Sequence, residues 1–112
     1  MIQIELTKID KNAEVPSRAD DGSAGYDLSS MFIVRLGAGE RFACGTGLKI
    51  SIPKGYVGLI FPRSGRAIND GLSLINAVGV LDSSYRGEVK VLLVNHSNET
   101  LYINQKDRIG QL

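Results

Sequence analysis

A chain of 112 residues fits one domain, and 43% hydrophobic with 22% charged residues is an ordinary globular composition that argues against disorder. A net charge of +1 gives no electrostatic case for nucleic acid or a membrane surface, and no run approaches the ~20 apolar residues of a membrane-spanning helix. Cys44 is the single cysteine and His96 the single histidine, which excludes an intrachain disulfide and a zinc site built by the chain.

Strand periodicity begins at the N-terminus, where Ile2-Gln3-Ile4-Glu5-Leu6 alternates apolar and polar and lacks the core of a signal peptide. Asp27, after Gly25-Tyr26, sits at an expected strand start, where it can bond to backbone or serve a ligand. Gly37, Gly39, Gly45, Gly47, Gly55, Gly71 and Gly87 fall where turns are required. Leu48-Lys49-Ile50-Ser51-Ile52 alternates again. The run Tyr56-Val57-Gly58-Leu59-Ile60-Phe61 is apolar enough for burial on both faces. Residues 65–70 form the one expected helix, with Ser64 as its cap and Gly71 as its stop. Asn76-Ala77-Val78-Gly79-Val80-Leu81-Asp82-Ser83-Ser84-Tyr85-Arg86-Gly87-Glu88-Val89-Lys90-Val91 reads as a β-hairpin with Asp82 and Tyr85 at its bend. Val89-Lys90-Val91-Leu92-Leu93-Val94 is a buried strand, His96 lies in a solvated turn, and Leu101-Tyr102-Ile103 alternates. Short strands at this spacing indicate an all-β barrel or sandwich. So small a domain buries only ~60–68% of its unfolded surface, which makes oligomerisation a reasonable route to stability.

Two segments carry candidate chemistry. A helix capped at Ser64 would aim the N–H groups of Gly65, Arg66 and Ala67 at an anion, with Arg63 adding a permanent charge. The same residues also fit a plain strand-to-helix turn. In the second segment, a carboxylate beside a ring on a rigid bend can orient water against a ligand that the ring positions. A turn in which Asp82 bonds its own backbone is the bland alternative.

These segments resemble motifs of the trimeric deoxyuridine triphosphate nucleotidohydrolases, the dUTPases. Ala24-Gly25-Tyr26-Asp27-Leu28 resembles their first motif and Pro62-Arg63-Ser64-Gly65 their second. The stretch from Asn76 to Val91 resembles the third, and Asp107-Arg108-Ile109-Gly110-Gln111-Leu112 the fourth. Four motifs in family order carry far more weight than any one of them.

The resemblance implies a distorted jelly-roll-like β-barrel with one short helix, and hydrolysis of dUTP to dUMP and pyrophosphate. Asp82 would be the catalytic base. Arg63, Ser64, Gly65 and Gln111 would bind phosphates, and Asn76 with the backbone of Gly79, Val80 and Leu81 would read uracil. Tyr85 would pack under the deoxyribose. Lys90 would contact nucleotide, or else be the solvent-facing residue of its strand. Mg²⁺ would bind through the substrate phosphates, with Asp27 near them but not as a direct ligand. The implied partners are dUTP and two further copies of the chain, in a homotrimer with sites at its subunit interfaces, without nucleic acid or membrane. The expected location is cytoplasmic, or the interior of a host cell if the chain is viral.

Three positions depart from the family pattern. Arg66 replaces an apolar residue, Gly110 replaces an alanine, and the chain stops at Leu112 before the family's C-terminal glycine-rich arm. The sequence is then either a trimmed piece of a longer chain or a naturally short form, and in the second case the expectation is nucleotide binding with much weakened hydrolysis. A non-catalytic trimeric nucleotide-binding or regulatory β-module is the alternative reading. A dCTP deaminase is less favoured, because the strand position that would carry its catalytic glutamate holds Leu92.

Overall fold

Strand succeeds strand along the chain with a single helical interruption. A computed structural model describes residues 2–112, and Met1, the first residue of the expected 1–112 domain, lies outside the described residues. In chain order the elements are β1 (Glu5–Lys8), β2 (Asp27–Ser29), β3 (Val34–Leu36), β4 (Arg41–Gly45), β5 (Leu48–Ser51) and β6 (Gly58–Ile60). Then come α1 (Ser64–Asp70), β7 (Leu72–Leu74), β8 (Gly79–Leu81), β9 (Lys90–Asn95), β10 (Leu101–Ile103) and β11 (Arg108–Gln111). All ladders between them are antiparallel: β1 with β5, β3 with β10, β2 with β11, β6 with β8, and β9 between β4 and β7. Because most partners are distant in sequence, the short sheets wrap around one core as a distorted jelly-roll-like barrel.

Leu28, Leu48, Leu72, Val91, Leu93, Ile103 and Ile109 fill that core, and burial of each contributes about 1.5–3 kcal/mol. Buried Asn95 is fully engaged. Its amide nitrogen donates to the carbonyls of Leu36 (2.9 Å) and Glu99 (2.7 Å), and its oxygen accepts from the Ser97 N–H (2.9 Å) and hydroxyl (2.7 Å). Asn95 thus closes the β9–β10 connection without leaving a buried polar atom unmet.

Four expectations shift. The first strand begins at Glu5, and Ile2 and Ile4 are exposed. The run through β6 alternates instead of being buried on both faces. Gly58 and Ile60 turn inward, while Leu59 and Phe61 face out, since no further sheet among the described residues packs on that side of the β6–β8 pair. The stretch from Asn76 to Val91 is not a two-stranded hairpin: β8 pairs with β6, whereas β9 enters the β4–β9–β7 sheet. The bend at Asp82 and Tyr85 is therefore a crossover between sheets. Finally, Ser64 is the first helical residue and not the cap.

Candidate active site

Arg63 occupies the N-cap of α1 in extended conformation (φ −87°, ψ 127°), and no side chain caps the helix. Its carbonyl accepts the Ala67 N–H at 2.9 Å. The N–H groups without a helical partner are therefore those of Ser64, Gly65 and Arg66, one residue earlier than a Ser64 cap would leave them. Gly71 stops the helix as expected, in the left-handed region at φ 73°.

This turn opens onto a cleft of about 410 Å³ lined by Asp27, Arg63, Ser64, Gly65, Arg66 and Gln111, among others. The barrel brings them together through β11. That strand pairs with β2 on one side, and Gln111 exchanges backbone hydrogen bonds with Phe61 at 2.8 and 3.0 Å on the other. The Gln111 amide also donates to the Pro62 carbonyl at 3.4 Å. Three motifs separated in sequence thus meet along one strand.

Asp27 is the electrostatic hub of the cleft. Its two oxygens lie 3.2 Å from Arg63 Nε and 3.8 Å from Arg108 Nε, and its side chain is 11% exposed. Such a carboxylate pairs closely with Arg63 and more loosely with the half-exposed Arg108. Arg66 forms a 2.6 Å contact with Asp70 one helical turn on and reaches Asp107 at 3.9 Å. Its departure from the family pattern therefore clips α1 to the turn before β11. The Asp70 spacing was legible as an i,i+4 pair; the Asp107 contact had no local signal.

The third motif stands apart from this cleft. Gly79 pairs with Ile60 and Leu81 with Gly58, so the antiparallel register carries Asp82 toward Val57, away from Arg63. Val57 to Arg63 is about 20 Å of extended chain at ~3.3 Å per residue. The Asp82 carboxylate is exposed, with no hydrogen bond or ion pair among the described residues. Its backbone carbonyl accepts the Tyr85 N–H at 3.1 Å, which closes the turn. Arg86 braces that turn by donating to the carbonyls of Ser83 (2.6 Å) and Tyr85 (3.0 Å). The Tyr85 hydroxyl donates to the Glu88 carbonyl at 2.7 Å, leaving the ring half exposed. Asn76 folds back toward Gly79, with its amide nitrogen 3.6 Å from where a Cβ at Gly79 would sit. Gly79, Val80 and Leu81 lie on β8, whose second edge has no partner strand among the described residues. Lys90 is exposed at the start of β9 opposite Gly45 and does not line the cleft.

A family model described as dUTPase matches residues 11–112. The chain belongs to the dUTPase family. Among its relatives, the deoxyuridine 5'-triphosphate nucleotidohydrolase of Mycolicibacterium gilvum (strain PYR-GCK) is 48% identical over 110 residues, spanning 97% of this chain and 71% of that protein. The dUTPase from phage phi11 of S. aureus superposes with a TM-score of 0.90 at 26% identity, covering 98% of this chain and 87% of that one. A mutant of the phi11 dUTPase, with TM-score 0.91 at 26% identity and 98% and 88% coverage, is described as coordinating a structural Mg(II) ion. The dUTPase fold thus supplies the jelly-roll-like architecture that the strand pattern and the motifs implied.

Proposed function

We propose that this chain hydrolyses dUTP to dUMP and pyrophosphate at a site assembled from two subunits of a homotrimer. One subunit contributes the Asp82–Tyr85 side and its neighbour the Arg63 cleft. The observation that carries this reading is the separation of the two halves in one protomer, together with the apolar outer face of the β6–β8 pair. Val80 is 63% exposed on that face, beside Leu59, Phe61 and Val78. Exposed apolar residues in such a group favour contact with another copy.

Each residue then has a defined task. Asp82, unpaired, accepts a proton from a water whose oxygen bonds to the α-phosphorus. The bond from that phosphorus to the bridging oxygen breaks, and pyrophosphate leaves with the electron pair. The free N–H groups of Ser64 and Gly65, Arg63 and the Gln111 amide hold the phosphate oxygens in line, so positioning and charge stabilisation supply most of the rate. Asp27 keeps Arg63 in the cleft. The ring of Tyr85 lies under the deoxyribose. Its hydroxyl proton is already committed to the Glu88 carbonyl, so a 2′-hydroxyl pressed against the ring face would meet an apolar surface that offers it no donor. Asn76 and the unpaired edge of β8 offer donors and acceptors at fixed spacing to the uracil edge. Lys90 contacts nucleotide across the assembled interface.

Among the described residues no group of three or more His, Cys, Asp or Glu could hold a metal, and Asp27 is paired with Arg63 and, more loosely, Arg108. The donor set suits Mg²⁺ that arrives on the triphosphate, where it would neutralise phosphate charge. No described helix is long and apolar enough to cross a membrane. A buried free thiol at Cys44 suits a reducing, cytoplasmic setting.

Asp82→Asn tests this function. Pyrophosphate release from dUTP should fall by roughly 10²–10⁴-fold, the range for loss of a general base. Release by neither protein would favour a binding module, and equal turnover by both would remove Asp82 from the chemistry.

A further inference from the structure

Gly87 has a geometry that backbone conformation does not explain. Among the described residues the glycines in the left-handed region are Gly39, Gly47, Gly55 and Gly71, and Gly87 is not one of them. An alanine there would escape the left-handed strain it would meet at those four positions. A side chain there would instead compete with Tyr85 for space. A Cβ on Gly87 would lie 2.7 Å from the Tyr85 hydroxyl oxygen, 2.9 Å from Cζ and 3.3 Å from Cε1. The three nearest atoms all belong to one ring, so Gly87 is the floor on which the outer end of Tyr85 rests.

A second contact fixes the same end of the ring. The Tyr85 hydroxyl donates to the Glu88 carbonyl at 2.7 Å, and the Glu88 carboxylate accepts the Gly47 N–H at 3.0 Å. The next residue is anchored to the same segment: the Val89 N–H donates to Leu48 at 2.8 Å, and the Thr46 hydroxyl donates to the Val89 carbonyl at 2.7 Å. The carbonyl that receives the phenol is therefore fixed to the β4–β5 turn, and the ring inherits that position. Its inner end is set by the turn that closes on Asp82.

We propose that Gly87 and Glu88 are positioning residues for sugar discrimination. Gly87 gives the phenol its seat and Glu88 its latch, and together they hold the ring where a 2′-hydroxyl would have to go. This inference rests on the assignment of Tyr85 to the sugar and deepens it by naming what keeps the ring in place. A ring free to tilt would open a gap beside the 2′ carbon, and the larger sugar would then be admitted. The deoxyribonucleotide has nothing at that position and would lose little.

The test measures binding, so it does not depend on turnover. Affinities for the non-hydrolysable α,β-imido analogues of dUTP and UTP are determined by calorimetry for the wild type and for Gly87→Ala, Tyr85→Phe and Tyr85→Ala. In Gly87→Ala the added methyl pushes the ring aside, and the ratio of deoxy to ribo affinity should drop by about tenfold or more, within the range that one misplaced group commands. Circular dichroism and the melting temperature should stay close to wild type, because only a surface ring moves. Tyr85→Phe removes the latch while leaving Gly87 intact, so it should lower the ratio even if the alanine variant folds poorly. A wild-type ratio in Gly87→Ala and Tyr85→Phe, with a reduced ratio in Tyr85→Ala, overturns the seat and latch and leaves Tyr85 its role. A wild-type ratio in all three removes Tyr85 from sugar recognition and the inference with it.

Discussion

Cys44 has no exposed surface, and its sulfur lies 3.2 Å from the Ser30 hydroxyl. Burial pushes the thiol pKa upward, the Ser30 hydrogen bond opposes this, and the charge of Glu88 adds to it. The proton is thus held more tightly in the folded chain than in the unfolded one. This stabilisation is present below the ordinary thiol range and is lost as pH rises through the higher folded value. At pH 8 iodoacetamide should label native Cys44 far more slowly than the urea-unfolded chain, and equal rates would mean that the thiol is accessible in the native state. Single residues also mark where the sequence was readable. Asp82, Tyr85 and Arg63 stood out as candidates because their residue types and order match the family's motifs. The two arginines on Asp27 were not, since Arg63 and Arg108 reach it only after β11 is laid beside β2.

At the scale of elements, α1 shows how local signals succeed and how they slip. Its stop was legible because a glycine after a short polar helix takes the left-handed conformation, as Gly71 does at φ 73°. Its start slipped by one residue, because Arg63 assumes the extended cap conformation that Ser64 was expected to take. Gly71→Ala should lower unfolding stability by at least about 1–2 kcal/mol, the cost of a side chain in the left-handed region. The new Cβ would also lie 2.9 Å from the Ser97 backbone nitrogen. A denaturation midpoint unchanged from wild type would contradict that conformation. The β8 strand failed differently. Nothing in its apolar run says whether it pairs forward with β9 or backward with β6, and long-range register decided for β6.

For the whole molecule, the barrel class was legible from strand spacing and glycine punctuation, whereas the pairing of distant strands had to await the fold. The distance between the two halves of the site has an experimental consequence. If neighbours share each site, a subunit carrying Asp82→Asn still offers an intact Arg63 cleft, and one carrying Arg63→Ala still offers an intact Asp82. Each variant alone should be nearly silent. Unfolded together and refolded as a mixture, they should regain a measurable share of wild-type turnover through hybrid trimers. No recovery, despite mixed assemblies detected by native mass spectrometry, would mean that every protomer keeps its own complete catalytic set. With sites shared between neighbours, register along one short ladder acquires genetic meaning: two defective alleles of this gene, each harmless to the other's surviving half, would complement in a single cell.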